Sequence, residues 1–274
     1  MHKRHPFTEE GYPTYLYGTD NFSGYDTAFR AEQSVDYWAM YKYQNNIFTN
    51  EVFDGYSDPA RDVGGDFYDF FFIDEDHLCL VIADVSGKGI PAALFMMFAK
   101  RIIADFARIE RNAGEILKKT NDLLCVNNQA EMFVTVWICI LEITTGRMKA
   151  ANAGHEYPAI RKEKGIFELY KDVHGFVIGG MEGISYKEYV LELNPGDKLF
   201  VYTDGVTEAT AARGEMFGAK RMIEVLNDCA DGNPWEILQS VGRAVDDFVG
   251  DAEQFDDLTM MCLEYKGPAN SGRS

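Results

Sequence analysis

The chain has 274 residues, 46% of them hydrophobic, enough for a large core in one domain of generous size or in one domain plus an extension. Its formal net charge of −18 argues against a nucleic-acid groove or an anionic membrane surface, because both need a surplus of Lys and Arg. No run of about 18 apolar residues exists, and MHKRHPFTEEGYP lacks the apolar stretch of a secretion signal, so a cytoplasmic protein without a membrane span is expected.

Residues 1–50 are polar, rich in Tyr and Phe, and free of clean periodicity. They read as an N-terminal extension or linker, helical at best over 27–45 and partly disordered. Residues 51–266 read as one domain and 267–274 as a polar tail. Tyr68–Ile73 and Leu78–Ala83 are apolar runs around the turn Asp74-Glu75-Asp76-His77, which predicts a hairpin. Asp66 lies nine residues before Glu75 and Asp84 nine after it. Antiparallel pairing through that turn sets the two carboxylates side by side at the open end.

After SGKGIPAA the period changes. Pro91 and the run Ala92–Arg108 predict a helix, and Glu115–Val126 a second. Met132–Ile143 and Arg147–Asn152 flank Thr144-Thr145-Gly146 as another hairpin. Shorter strands are expected over 157–162, 166–170 and 186–193. Pro195-Gly196-Asp197 turns into the strand Lys198–Thr203. Phe217–Leu226 and Pro234–Val249 read as helices, and Leu258–Tyr265 as a last strand. Strands joined mainly by hairpins, alternating with helix pairs, imply an α+β fold of antiparallel sheets covered by helices.

Four strand ends carry the chemistry. Asp66 opens one run, Asp84 and Asp204 close two others, and Asp256-Asp257 open the last. Converging carboxylates repel one another unless a cation offsets them. Such an oxygen-only set suits Mg²⁺ or Mn²⁺. Asp84 is the best placed to bridge two ions roughly 3.5–4 Å apart, between which a water becomes a nucleophile for phosphorus. Lys88 and Arg61 are candidate contacts for a substrate phosphate. SGKGIP is not a phosphate loop, since Lys88 is followed by Gly89 rather than Ser or Thr. His155 in NAGHEYP reads as a structural loop histidine, as no HExxH or second nearby His supports a metal or base role. The five scattered cysteines, with no CxxC, read as small buried hydrophobes in a reducing compartment.

The motifs VGGDFYDFF, LVIADVSGKGIPAAL, FVTVW, ANAGHEYPA, GDKLFVYTDGVTEA and FDDLTM resemble the SpoIIE-like branch of the metal-dependent PPM protein phosphatases, which includes the RsbU-type regulators. The resemblance covers about residues 52–265. It implies a four-layer α-β-β-α sandwich with two Mn²⁺ or Mg²⁺ ions at one edge. By position, Asp66, Asp84, the Val85 carbonyl, Asp204 and Asp256 match the family's metal ligands, with Asp257 beside them. The implied substrate is a phosphoserine or phosphothreonine on a small anti-anti-sigma (STAS-type) protein, hydrolysed by direct attack of a metal-activated water. The implied output is partner switching. Members often carry an N-terminal sensor domain, for which some 50 residues are too few. Control is therefore expected from an activator protein, from homodimer formation or from an upstream portion. A shift of the helix pair at about 90–127 is the expected means. Two other readings stay open: a phosphoprotein-binding module without turnover, and a hydrolase of small phosphoesters.

Overall fold

The computed structural model describes residues 53–60, 63–126, 128, 130–254 and 256–267. The expected 27–45 helix and Arg61 lie outside them. Ten strands form two five-stranded sheets, every ladder antiparallel. The strands are β1 (Phe53–Asp58), β2 (Phe67–Phe72), β3 (His77–Val85), β4 (Val134–Glu142), β5 (Arg147–Ala153), β6 (Ala159–Arg161), β7 (Phe167–Leu169), β8 (Tyr189–Glu192), β9 (Lys198–Tyr202) and β10 (Leu258–Glu264). One sheet runs β1-β10-β9-β6-β7 and the other β2-β3-β4-β5-β8. The helices are α1 (Ile90–Ala107), α2 (Ala113–Val126), the short α3 (Asp204–Thr207), α4 (Gly218–Asp228) and α5 (Pro234–Val249).

Strand alternation sorts the side chains into three cores. On the β3 sheet, Val81, Ala83, Val136 and Ile138 face α1 and α2, meeting Ile103, Ile116 and Leu117. Their neighbours Leu80, Ile82 and Trp137 face the other sheet and meet Val201, Met261 and Leu263. On the β10 sheet, Phe200, Tyr202 and Met260 face α4 and α5, meeting Met222, Ile237 and Val241. The order is thus helix pair, sheet, sheet, helix pair. The expected four-layer sandwich is the observed one. Trp137 is wholly buried between the sheets, and its indole N–H donates to Tyr189 Oη at 2.9 Å, which offsets the cost of burying that donor.

Local chemistry sets the ends of the elements. Pro91 starts α1. A capping box starts α5: Asn233 Oδ1 accepts from Glu236 N at 2.9 Å, and Glu236 Oε2 accepts from Asn233 N at 2.8 Å. Two buried cations tie the α4–α5 turn to the sheet. Lys198 Nζ donates to the carbonyls of Ala230 (2.8 Å) and Gly232, and Arg161 donates to the Ala230 carbonyl (2.5 Å) and Asp231 (2.7 Å). They satisfy buried carbonyls of the loop between the two helices.

The predicted hairpins, the four helices expected after residue 90 and the last strand are all present among the described residues. β1 and α3 were not predicted. β1 is short of apolar residues and pairs with β10, some two hundred residues away, from Phe53↔Leu263 to Asp58↔Leu258. α3 packs hard against the start of β10: a Cβ on Gly205 would lie 1.9 Å from the Asp257 carbonyl oxygen. We expect Gly205→Ala to cost about 2–3 kcal/mol or prevent folding, as backbone must yield to admit the methyl. Gly242→Ala, in α5 with nothing within 4 Å of an added Cβ, should instead gain about 0.5–1 kcal/mol. Equal effects of the two changes in denaturant titration would contradict this packing.

Candidate metal centre

The space between the sheets is apolar along most of its length and polar at one end. The polar end collects Asp66 beside β2, Asp84 on β3, Thr135 on β4, Thr203 after β9, and Thr259 on β10. Parity explains the placement. Asp84 falls on the same face as Leu80 and Ile82, so it points between the sheets. The β2–β3 register pairs Phe67 with Ala83, and its next step sets Asp66 opposite Asp84. The expected side-by-side carboxylates are therefore present.

Asp66 is only 5% exposed, and its carboxyl group is hydrogen-bonded to that of Asp84. Thr203 Oγ1 donates to Asp66 Oδ2 at 2.7 Å. Burial, then the Asp84 charge, pushes the Asp66 pKa well above the usual carboxylate range. Burial also raises Asp84, as do the charges of Asp256 and Asp257, while the contact with Asp66 opposes the rise. Two carboxylates in contact must share a proton or a cation. Asp204 rises from 3.8 to about 7 through burial, then the charges of Asp84 and Asp256. Asp84 thus stands at the electrical centre of the group.

The remaining predicted residues are placed as follows. Asp256 Oδ2 pairs with Lys88 Nζ at 3.0 Å. Asp257 turns to main chain: Oδ1 accepts from Ala60 N at 2.8 Å, and Oδ2 accepts from Gly65 N at 2.6 Å and Asp66 N at 3.3 Å. It clamps the segment leading to Asp66. A Cβ on Gly65 would lie 3.1 Å from the Val85 carbonyl oxygen, so glycine there leaves that oxygen uncovered. Among the described residues, no three acidic groups already form a closed ligand set around one point. Asp256 and Asp257 are engaged by Lys88 and by amides instead. The donor chemistry nonetheless fits a hard divalent cation: it is oxygen-only and crowded with carboxylates whose mutual repulsion a cation would relieve.

Thr203, Thr135 and the clamp made by Asp257 were not predicted. Period-two parity from Val201 would have pointed Thr203 between the sheets.

A carboxylate whose pKa is higher folded than unfolded binds more protons when folded, so stability falls as pH rises from the ordinary value through the folded one. For Asp204 that window runs from 3.8 to about 7. The metal-free chain should melt at a higher temperature at about pH 5 than at about pH 8, and Asp204→Asn should flatten this slope. An unchanged slope in the variant would remove Asp204 from the charged cluster.

The family described as Stage II sporulation protein E (SpoIIE) matches residues 74–266. Protein IcfG of Synechocystis sp. is 32% identical over 241 residues, covering 78% of this chain and 37% of that protein. Phosphoserine phosphatase RsbU of Bacillus subtilis is 32% identical over 212 residues, covering 76% of this chain and 61% of RsbU. The chain thus spans less than two thirds of the length of these relatives. Among solved structures, the SiaA-PP2C domain of Pseudomonas aeruginosa superimposes with a TM-score of 0.72 at 21% identity, covering 87% of this chain and 98% of that one. That likeness shows the PP2C-like fold. With motifs, layer order and a match over most of its length in agreement, this chain belongs to the SpoIIE family and is similar to RsbU.

Proposed function

We propose that the chain is a Mn²⁺- or Mg²⁺-dependent protein serine/threonine phosphatase of bacterial partner-switching signalling, acting in the cytoplasm. Its substrate in this reading is a phosphoserine or phosphothreonine on a small STAS-type anti-anti-sigma protein. The observation that carries the reading is the hydrogen-bonded pair Asp66–Asp84 with Asp204 raised beside it, at the polar end of the inter-sheet space. The similarity to a phosphoserine phosphatase supports the same class.

Asp66, Asp84, Asp204 and Asp256, with the Val85 carbonyl, would hold two ions. When bound, these ions supply Lewis acidity that brings a water near neutral pKa and offsets the charge of the phosphoryl oxygens. The protein's own groups prepare that site. Thr203 fixes the rotamer of Asp66 through its hydroxyl. Asp257 accepts from the amides of Ala60, Gly65 and Asp66, so we assign it to loop support behind the ligands. Lys88 sits on the carboxylate of Asp256 and is the cation placed to meet a phosphate at the mouth. Arg61 is retained as a second candidate for that contact.

Hydrolysis of a phosphoserine STAS protein with Mn²⁺ tests the reading. Turnover should vanish with chelator and fall by more than about 100-fold in Asp84→Ala and Asp204→Ala, since losing a ligand exceeds the loss expected from its support. Near wild-type turnover in Asp204→Ala would refute the ligand set. Lys88→Met should lower kcat/KM on the phosphoprotein about tenfold, the worth of one charge-assisted hydrogen bond; an unchanged value would assign Lys88 to the metal-free ion pair alone.

A further inference from the structure

His155 is buried, titratable and unused by the proposed reaction. It lies in the 154–158 segment, which carries the chain from β5 of one sheet to β6 of the other. Its ring is nearly inaccessible, at 3% exposure. Nδ1 lies 2.9 Å from Thr135 Oγ1. Thr135 is the cross-strand partner of Asp84. The opposite ring nitrogen, Nε2, is buried and has no hydrogen-bond partner, and the Tyr202 main chain lies beside the ring. Tyr202 ends β9, and Thr203 and Asp204 follow it directly. The ring therefore reaches from the strand beside Asp84 to the strand end that bears Asp204.

The backbone of this residue is fixed as firmly as its ring. His155 N donates to Asn152 Oδ1 at 2.7 Å, and Asn152 Nδ2 donates back to the His155 carbonyl at 3.0 Å. Asn152 also donates to Asp172, whose carboxylate takes the Tyr189 hydroxyl at 2.7 Å. Burial drives the ring pKa down to about 3, so the ring is neutral at working pH and adds no charge to the cluster. A neutral imidazole has one donor and one acceptor nitrogen. Nδ1 shares one hydrogen bond with the Thr135 hydroxyl, and Nε2 is left without a partner.

We infer that His155 is a positioning residue: a neutral strut between the two sheets that sets the separation of the strand ends carrying Asp84 and Asp204, and so the cation affinity of the site. This rests on the metal-site reading above. It assigns no ligand or proton-transfer role to the histidine.

The test is calorimetric titration of Mn²⁺ into the full chain after removal of metal by chelator, for wild type, His155→Ala, Thr135→Val and the double variant. Each single variant should weaken Mn²⁺ binding about tenfold, as losses of ligand-supporting groups do. The double variant should weaken it no further, because both changes cut one strut. At saturating Mn²⁺, kcat should stay within about threefold of wild type. A lower melting temperature with unchanged Mn²⁺ affinity in the variants would overturn the role and leave a packing residue. Should His155→Ala fail to fold, the near-isosteric Thr135→Val decides alone, and unchanged affinity there overturns the inference. Absence of Mn²⁺ binding in the wild type would overturn the metal-site reading and this role with it, whereas binding that neither variant alters would overturn only this role.

Discussion

Two carboxylates held in contact at a buried strand end are costly, and much of the molecule around them is arranged to hold that contact. Asp66 and Asp84 face each other because the β2–β3 hairpin leaves them as its open pair. Like charges at that distance cannot both ionise without compensation, so the raised pKa values follow from geometry. The surroundings hold this contact. Thr203 donates to Asp66 from the opposite sheet, and Asp257 takes the amides of the segment that delivers Asp66. Gly205 lets the α3 backbone reach the Asp257 carbonyl, which fixes Asp204 relative to both.

The layer architecture makes such a site tolerable. Three apolar cores stabilise the sandwich, and the middle one is sealed by Trp137, Leu80, Ile82, Val201 and Met261. Only the last step of each strand turns polar on the inward face. The cost of desolvating this acidic cluster falls at one edge, where solvent reaches the outer carboxylates. Lys88 on Asp256 offsets part of the charge there. The 154–158 segment crosses between sheets at the same edge, so its rigidity bears on the spacing of the acidic groups as well as on chain connection.

Low identity alongside close superposition fits this picture. At 21% identity the SiaA-PP2C domain keeps the fold. Any apolar residues of suitable volume can fill the three cores, whereas the acidic edge depends on particular residues at particular register positions.

Much of the fold was legible because its signals are local. The spacing of Asp66 and Asp84 about Glu75 determined a hairpin and its register, and the change of period after SGKG determined α1. The run Leu258–Tyr265 marked the last strand, and the aspartates at strand ends marked an acidic edge. Non-local contacts were not legible. β1, with Asp54, Gly55 and Ser57 in its middle, is a strand only because β10 supplies its hydrogen bonds. Asp256 and Asp257 are equivalent in sequence, yet one meets Lys88 and the other meets amides of the 60–66 segment. His155 looked like an ordinary loop residue until the two sheets came together around its ring. Periodicity and turn chemistry operate within a few residues of chain, so the sequence alone determined the elements and their charged ends. Which carboxylate faces which partner depends on how two sheets stack, and only the tertiary structure decided that.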